Sequence, residues 1–93
     1  MEKFNIVLAP KAVKDLDDLN DKQCAKILKQ IRVLEENPFP RGKLIKKLKG
    51  TKTSYYRLRI DRYRVFFRIE AIKIIILRIL SKKDVEKIIK TFK

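Results

Sequence analysis

The 93-residue chain contains no histidine and no tryptophan, one cysteine and two glycines. Without histidine the usual general acid–base side chain at neutral pH is missing, so catalysis would have to use Lys, Arg, Tyr, Asp or Glu. A lone Cys24 forms no internal disulfide and, with no histidine beside it, no metal site. Long apolar runs are also lacking. The longest, Ile74 to Leu77, ends at Arg78, far short of the ~20 residues a membrane helix requires. The segment Met1–Pro10 lacks the basic-then-apolar order of a secretion signal. These shortages point to a small cytoplasmic protein without metal or cofactor. At this length one domain, 1–93, is expected.

Acidic residues are scarce in the second half. The chain holds 25 Lys+Arg against 11 Asp+Glu, a formal charge of +14. Residues 1–42 carry 8 basic and 7 acidic side chains, whereas residues 43–93 carry 17 and 4. Nearly all the excess therefore lies beyond residue 42. A field concentrated this way favours a polyanionic partner over general solubility.

Periodicity predicts an α+β fold. Lys3–Leu8 alternates as a strand. Pro10 suits a first helical turn, and a helix over about 10–19 carries Val13, Leu16 and Leu19 on one stripe. Asn20 and Asp21 can cap a second helix over about 21–36, with Cys24, Ile27, Leu28, Ile31 and Leu34 facing the core. Asn37-Pro38 ends it. Residues 37–53 form a basic connection in which Leu44, Ile45 and Leu48 make one anchored turn. Three strands follow, at about 54–60, 62–69 and 72–80, joined by Asp61-Arg62 and Glu70-Ala71. Ser81 to Asp84 resembles a capping box opening a last helix that carries Val85, Ile88, Ile89 and Phe92. The expected architecture is an N-terminal strand, a helical hairpin, a three-stranded antiparallel meander and a C-terminal helix, with helices covering one face of the sheet.

Strand alternation then sorts the side chains. With a two-residue loop at Asp61-Arg62, Ile60 pairs with Tyr63, Arg59 with Arg64 and Arg57 with Phe66. One face collects Tyr56, Leu58, Ile60, Tyr63, Val65, Phe67 and Ile69 as core. The other collects Arg57, Arg59, Arg64, Phe66 and Arg68, extended by Lys73, Ile75 and Leu77. Slipping the register by one residue would bury the arginines, so the pattern fixes it. Like charges directly opposite cost about 0.2–1 kcal/mol. Such a cluster is sensible where an anion sits, and arginine forks match phosphate oxygens. Phe66, Ile75 and Leu77 beside them make a mixed apolar and cationic face, which suits base stacking plus phosphate contact, or a covering partner segment.

The ordered set Asn37-Pro38, Gly42, Leu48-Lys49-Gly50, Tyr55-Tyr56-Arg57-Leu58-Arg59-Ile60, Tyr63-Arg64-Val65, Leu77-Arg78-Ile79 and Lys82-Lys83-Asp84-Val85 resembles the RelE/ParE superfamily of toxins from toxin–antitoxin systems. The likeness spans nearly the whole chain. It implies a compact fold of microbial-RNase type. It also implies metal-independent cleavage of mRNA in the ribosomal A site, by attack of the ribose 2′-OH on the adjacent phosphate.

Carried over by position, the family's functional residues are Arg57, Arg59, Arg64 and Lys82 or Lys83. Arg64 would stabilise the phosphorane-like transition state. Arg57 and Arg59 would orient the backbone, and Lys82 would assist the leaving 5′ oxygen. Arg68, Lys83, Phe66, Lys49 and Lys52 are the expected RNA-binding residues. The resemblance also implies an acidic, RelB-like antitoxin as partner, besides ribosome and mRNA. The chain departs from the family at Leu80, where glycine is common, at Ser81-Lys82, where His-Arg is frequent, and at Glu86, where nucleases carry Tyr or His. Tyr55 or Tyr56 are the candidate stand-ins for that aromatic. The departures keep two alternatives open: a ParE-like toxin acting on DNA gyrase, and a non-catalytic RNA-binding domain.

Overall fold

The computed structural model describes residues 3–48 and 54–85. Chain order is β1 (Asn5–Leu8), α1 (Pro10–Asp17), α2 (Asp21–Ile31), α3 (Val33–Glu36), β2 (Ile45–Lys47), β3 (Tyr56–Ile60), β4 (Tyr63–Glu70) and β5 (Lys73–Ser81). Residues 82–85 are helical and are the last described. Ile88, Ile89 and Phe92 lie outside the described residues. Among the described residues no helix is long and apolar enough to cross a membrane.

Local chemistry sets the helix ends. Pro10 opens α1, where its missing N–H costs nothing. The Asn20 carboxamide accepts the Gln23 N–H at 2.8 Å and caps α2. The single second helix expected from the sequence is broken at Arg32 into α2 and α3. Leu34 on α3 is nevertheless fully buried, so the apolar stripe continues across the break.

The five strands lie in the order β1-β5-β4-β3-β2. The β3-β4-β5 meander matches the expected one, and two edge strands widen it. β1 pairs in parallel with β5, Asn5 opposite Lys73 through Leu8 opposite Ile76. β2 pairs antiparallel with β3. Residues 45–47 thus form a strand rather than the expected turn, because Ile45 has a core slot to fill and is 1% exposed.

The helices cover one sheet face. Ala12, Leu16, Ile27, Ile31 and Leu34 meet Ile45, Leu58, Ile60, Val65, Phe67, Ile74, Ile76 and Ile79 there. The opposite face carries a second, smaller cluster of Phe66, Leu80 and Val85, with Leu48 against it. The start of the last helix therefore contributes Val85 to the face that the sequence left without helices.

Two features correct the expected path of β5. Its loop is Ala71-Ile72, since Glu70 pairs with Lys73. Further along, Phe67 faces Ile76 but Phe66 faces Arg78, which leaves Leu77 as an extra residue in a bulge. Unbroken alternation would send Ile79 to the arginine face. The bulge returns it to the main core, where it is 4% exposed.

Candidate nucleic-acid interface

The β3–β4 register agrees residue by residue with the one expected from alternation: Ile60 with Tyr63, Arg59 with Arg64, Leu58 with Val65, Arg57 with Phe66. Arg57, Arg59, Arg64 and Arg68 consequently share the face opposite the helices. Adding β2 puts Lys46 directly across from Arg57. Lys46 escaped the sequence reading because its segment reads as a turn.

Arg64 is at the centre. It is 8% exposed, the one charged side chain buried to this degree among the described residues. Its Nη1 donates to the carbonyls of Asp61 at 2.8 Å and Tyr63 at 2.9 Å. These bonds tie the guanidinium to the β3–β4 turn. No carboxylate among the described residues pairs with it, while Arg57 and Arg59 lie close enough to repel it. Burial first, then those two cations, lower the Arg64 pKa from its ordinary value. A buried cation between like charges is unfavourable until an anion arrives. The arrangement leaves a cationic donor, already oriented by the turn, among like charges.

The remaining cations differ in availability. Arg57 is half-buried and Arg59 exposed. The Nε atoms of Arg57 and Arg68 are buried without a hydrogen-bond partner. Arg68 also reaches Glu70 at 3.3 Å, so it is partly neutralised. Arg78, on the same row as Phe66, is diverted altogether. Its Nε and Nη2 grip the Asp15 carboxylate at 2.9 and 3.0 Å. That hydrogen bond raises the Arg78 pKa.

Phe66 corrects an expectation. Its ring is fully buried against Leu48, Leu80 and Val85, so it is a packing residue rather than a base-stacking platform. Tyr56 is likewise turned to the helix side, where it stacks on Phe67 with centroids 5.5 Å apart. Of the two tyrosine stand-ins, Tyr56 is therefore not on the arginine face. Lys49, Lys52 and Glu86 lie outside the described residues.

Lys82 and Lys83 are exposed at the end of the sheet. The Lys82 N–H donates to the Arg62 carbonyl at 2.8 Å, bringing the β3–β4 turn beside the start of the last helix. Ser81, Lys82, Lys83, Arg62 and Tyr63 line an open cleft of about 600 Å³. Arg62 was read only as a loop residue. Nothing local in the sequence marks it, because its role depends on the Lys82 contact. Arg64, fixed to the same turn, links this cleft to the arginine face.

Comparison with known proteins agrees with this geometry. A family model described as the ParE toxin of type II toxin–antitoxin systems matches residues 6–90. The chain belongs to the RelE/ParE superfamily of toxins. A protein of Methanocaldococcus jannaschii with the provisional name toxin RelE1 is 37% identical over 84 residues, covering 88% of this chain and 92% of that protein. Among solved structures, the archaeal RelE–RelB complex of Pyrococcus horikoshii matches with a TM-score of 0.71 at 29% identity, covering 85% of this chain and 94% of that one. The RelB–RelE antitoxin–toxin complex of Methanococcus jannaschii matches with a TM-score of 0.68 at 29% identity, covering 88% and 96%. The superfamily resemblance carried by the Tyr-Arg-Leu-Arg and Tyr-Arg-Val strands thus holds over most of the chain.

Proposed function

We propose that this toxin is a ribosome-dependent endoribonuclease that cuts mRNA in the A site. The observation that carries the reading is Arg64: buried, oriented by two turn carbonyls and flanked by Arg57 and Arg59, with no carboxylate pairing with it among the described residues. In the proposed step the ribose O2′ bonds to the adjacent phosphorus and the P–O5′ bond breaks. The 2′ proton passes to a base or water and O5′ gains one. The products are a 2′,3′-cyclic phosphate and a 5′-hydroxyl end.

Negative charge on the nonbridging oxygens grows toward the phosphorane, and Arg64 answers it without reorganising. Arg57 and Arg59 hold the chain on either side, with Lys46 extending that hold. Lys82, on the cleft rim, serves the departing O5′. Permanently charged guanidinium groups are poor proton donors at neutral pH. Positioning and fixed charge therefore supply most of the rate, and the ribosome supplies substrate alignment.

The RelE relatives from Pyrococcus horikoshii and Methanococcus jannaschii were solved in complex with RelB. We carry that to this chain as an acidic, RelB-like antitoxin, whose carboxylates would neutralise the same face. A toxin acting on translating ribosomes works in the cytoplasm. The test is to incubate it with translating ribosomes and map mRNA 5′ ends. A-site cuts support the reading. The ParE description of the family model favours a second reading, action on DNA gyrase. Inhibited supercoiling with uncut mRNA would establish that one instead.

A further inference from the structure

Arg64 is buried among cations, so its place depends on what holds it. Its Nη1 donates to two carbonyls, those of Asp61 and Tyr63. Each of these two residues is tied by its own side chain to α2. The Asp61 carboxylate accepts from Lys26 Nζ, and the Tyr63 hydroxyl donates to Gln23 Oε1 at 3.2 Å. We propose that Gln23 and Lys26 are positioning residues for Arg64: by seating Tyr63 and Asp61 they fix the two carbonyls that aim its guanidinium.

The sequence puts both ties on one face of α2. Gln23 and Lys26 are three residues apart, so they are neighbours on the same side of the helix. Asn20 lies one step earlier and caps the helix by accepting the Gln23 N–H at 2.8 Å, which fixes the backbone that carries Gln23. Ile27, next to Lys26, and Ile60, the residue before the turn, are 1% and 5% exposed in the same core cluster. The part of α2 that holds the turn is therefore packed in place. From the far side the Arg62 carbonyl accepts the Lys82 N–H at 2.8 Å. Asp61, Arg62 and Tyr63 thus each have an anchor outside β3 and β4. The other hairpin loop, Ala71-Ile72, has only apolar side chains and no side-chain tie of this kind.

The two ties differ in strength. Lys26 and Asp61 are both exposed, and an exposed ion pair adds little to stability. The Gln23–Tyr63 bond is partly buried and Tyr63 packs against the main core, so it is the firmer of the two. Their effect falls on Arg64, because desolvation and repulsion from Arg57 and Arg59 favour its release to water. A guanidinium held by two fixed carbonyls meets developing charge without reorganising. Once those carbonyls loosen, Arg64 samples other rotamers and its aligned fraction falls.

The effect on rate rests on the nuclease reading above, whereas the hold on Arg64 is measured without RNA. The full chain is compared as native toxin, Gln23→Leu, Lys26→Met and the double variant, with Gln23→Glu keeping an acceptor for Tyr63. Urea unfolding checks that each is folded, and the single variants carry the test if the double variant is not. In the free native toxin, restrained rotation about the Arg64 Cζ–Nη bonds should give separate Nη NMR signals, assigned by their loss in Arg64→Lys. These signals should merge in the double variant and in Gln23→Leu, and less so in Lys26→Met. On programmed ribosomes the single-turnover rate should fall about tenfold in Gln23→Leu and further in the double variant, at unchanged ribosome affinity, with Gln23→Glu near native. In an Arg64→Ala background the same changes should have no further effect. Unchanged Arg64 signals in the folded variants, a native rate despite merged signals, or an equal loss of rate in the Arg64→Ala background would overturn the positioning role. Merged signals in the variants of a toxin whose native form leaves mRNA uncut would reject only the nuclease reading.

Discussion

Arg59 stands directly across from Arg64 on neighbouring antiparallel strands. One of the two is exposed and the other is buried. A cross-strand pair of like charges works against folding, and burial of one member sharpens the conflict. The proposed anion-binding role accounts for that conflict at the centre of the basic face.

Replacing Arg59 by threonine, a good strand former, should therefore stabilise the free toxin while weakening its hold on RNA. A gain of about 0.2–1 kcal/mol is expected from urea unfolding. Single-stranded RNA binding should weaken, and the slope of log affinity against log salt should shallow by about 0.7. Loss of stability would show that Arg59 is held by something other than the anion site.

Asp15 has a different task. β1 pairs with β5 only as far as Ile76, which leaves the rest of that edge open. Asp15 on α1 covers it by accepting the Ile79 N–H at 2.8 Å while gripping Arg78. Asp15→Ala abandons an edge amide and a partly buried guanidinium together. A loss of about 3 kcal/mol in urea unfolding is expected, from a hydrogen-bonded charge pair of this kind. Asp15→Asn keeps an acceptor and should lose less. Arg78→Met in the Asp15→Ala background should recover part of the loss.

Ala71 has φ +55°, in the left-handed region where a β-carbon is crowded. It is exposed and contributes nothing to the core. Ala71→Gly should raise stability by about 1 kcal/mol, read as a higher urea midpoint at unchanged slope. Asp61 has φ +50° in the other hairpin loop, but aspartate tolerates that conformation better.

The Lys26 hydrogen bond and charge lower the Asp61 pKa from its ordinary 3.8, with Arg62 contributing less. The folded value lies below the unfolded one. The pair thus favours the folded state at neutral pH, and this contribution fades as pH falls through the lowered value. NMR titration of the Asp61 carboxyl should give a midpoint under 3.8, and Lys26→Met should return it toward 3.8. An unchanged midpoint in that variant would show that Lys26 is not the cause.

Much of this site was legible because period two leaves little freedom. Alternation from Tyr56 to Ile69 fixes the register, and the register puts four arginines together. The parts that were not legible depend on distant contacts. Lys46 joins the face only because Ile45 finds a core slot beside Leu58. Phe66 is taken from the surface by Leu80 and Val85, which no local pattern announces. The bulge at Leu77 exchanges Ile79 for Arg78 on the basic side, and Asp15, far away in sequence, then removes Arg78 from it.

The central claim is that Arg64 stabilises charge at a phosphorus under attack in the A site. Its most direct measure is single-turnover cleavage of A-site mRNA on programmed ribosomes by the native toxin, Arg64→Ala and Arg64→Lys. The account expects 2′,3′-cyclic phosphate ends from the native toxin. It expects a rate lower by about 10²–10³ for Arg64→Ala at unchanged ribosome affinity, with partial recovery in Arg64→Lys. Absence of cleavage by the native toxin, or equal rates for all three proteins, would contradict it.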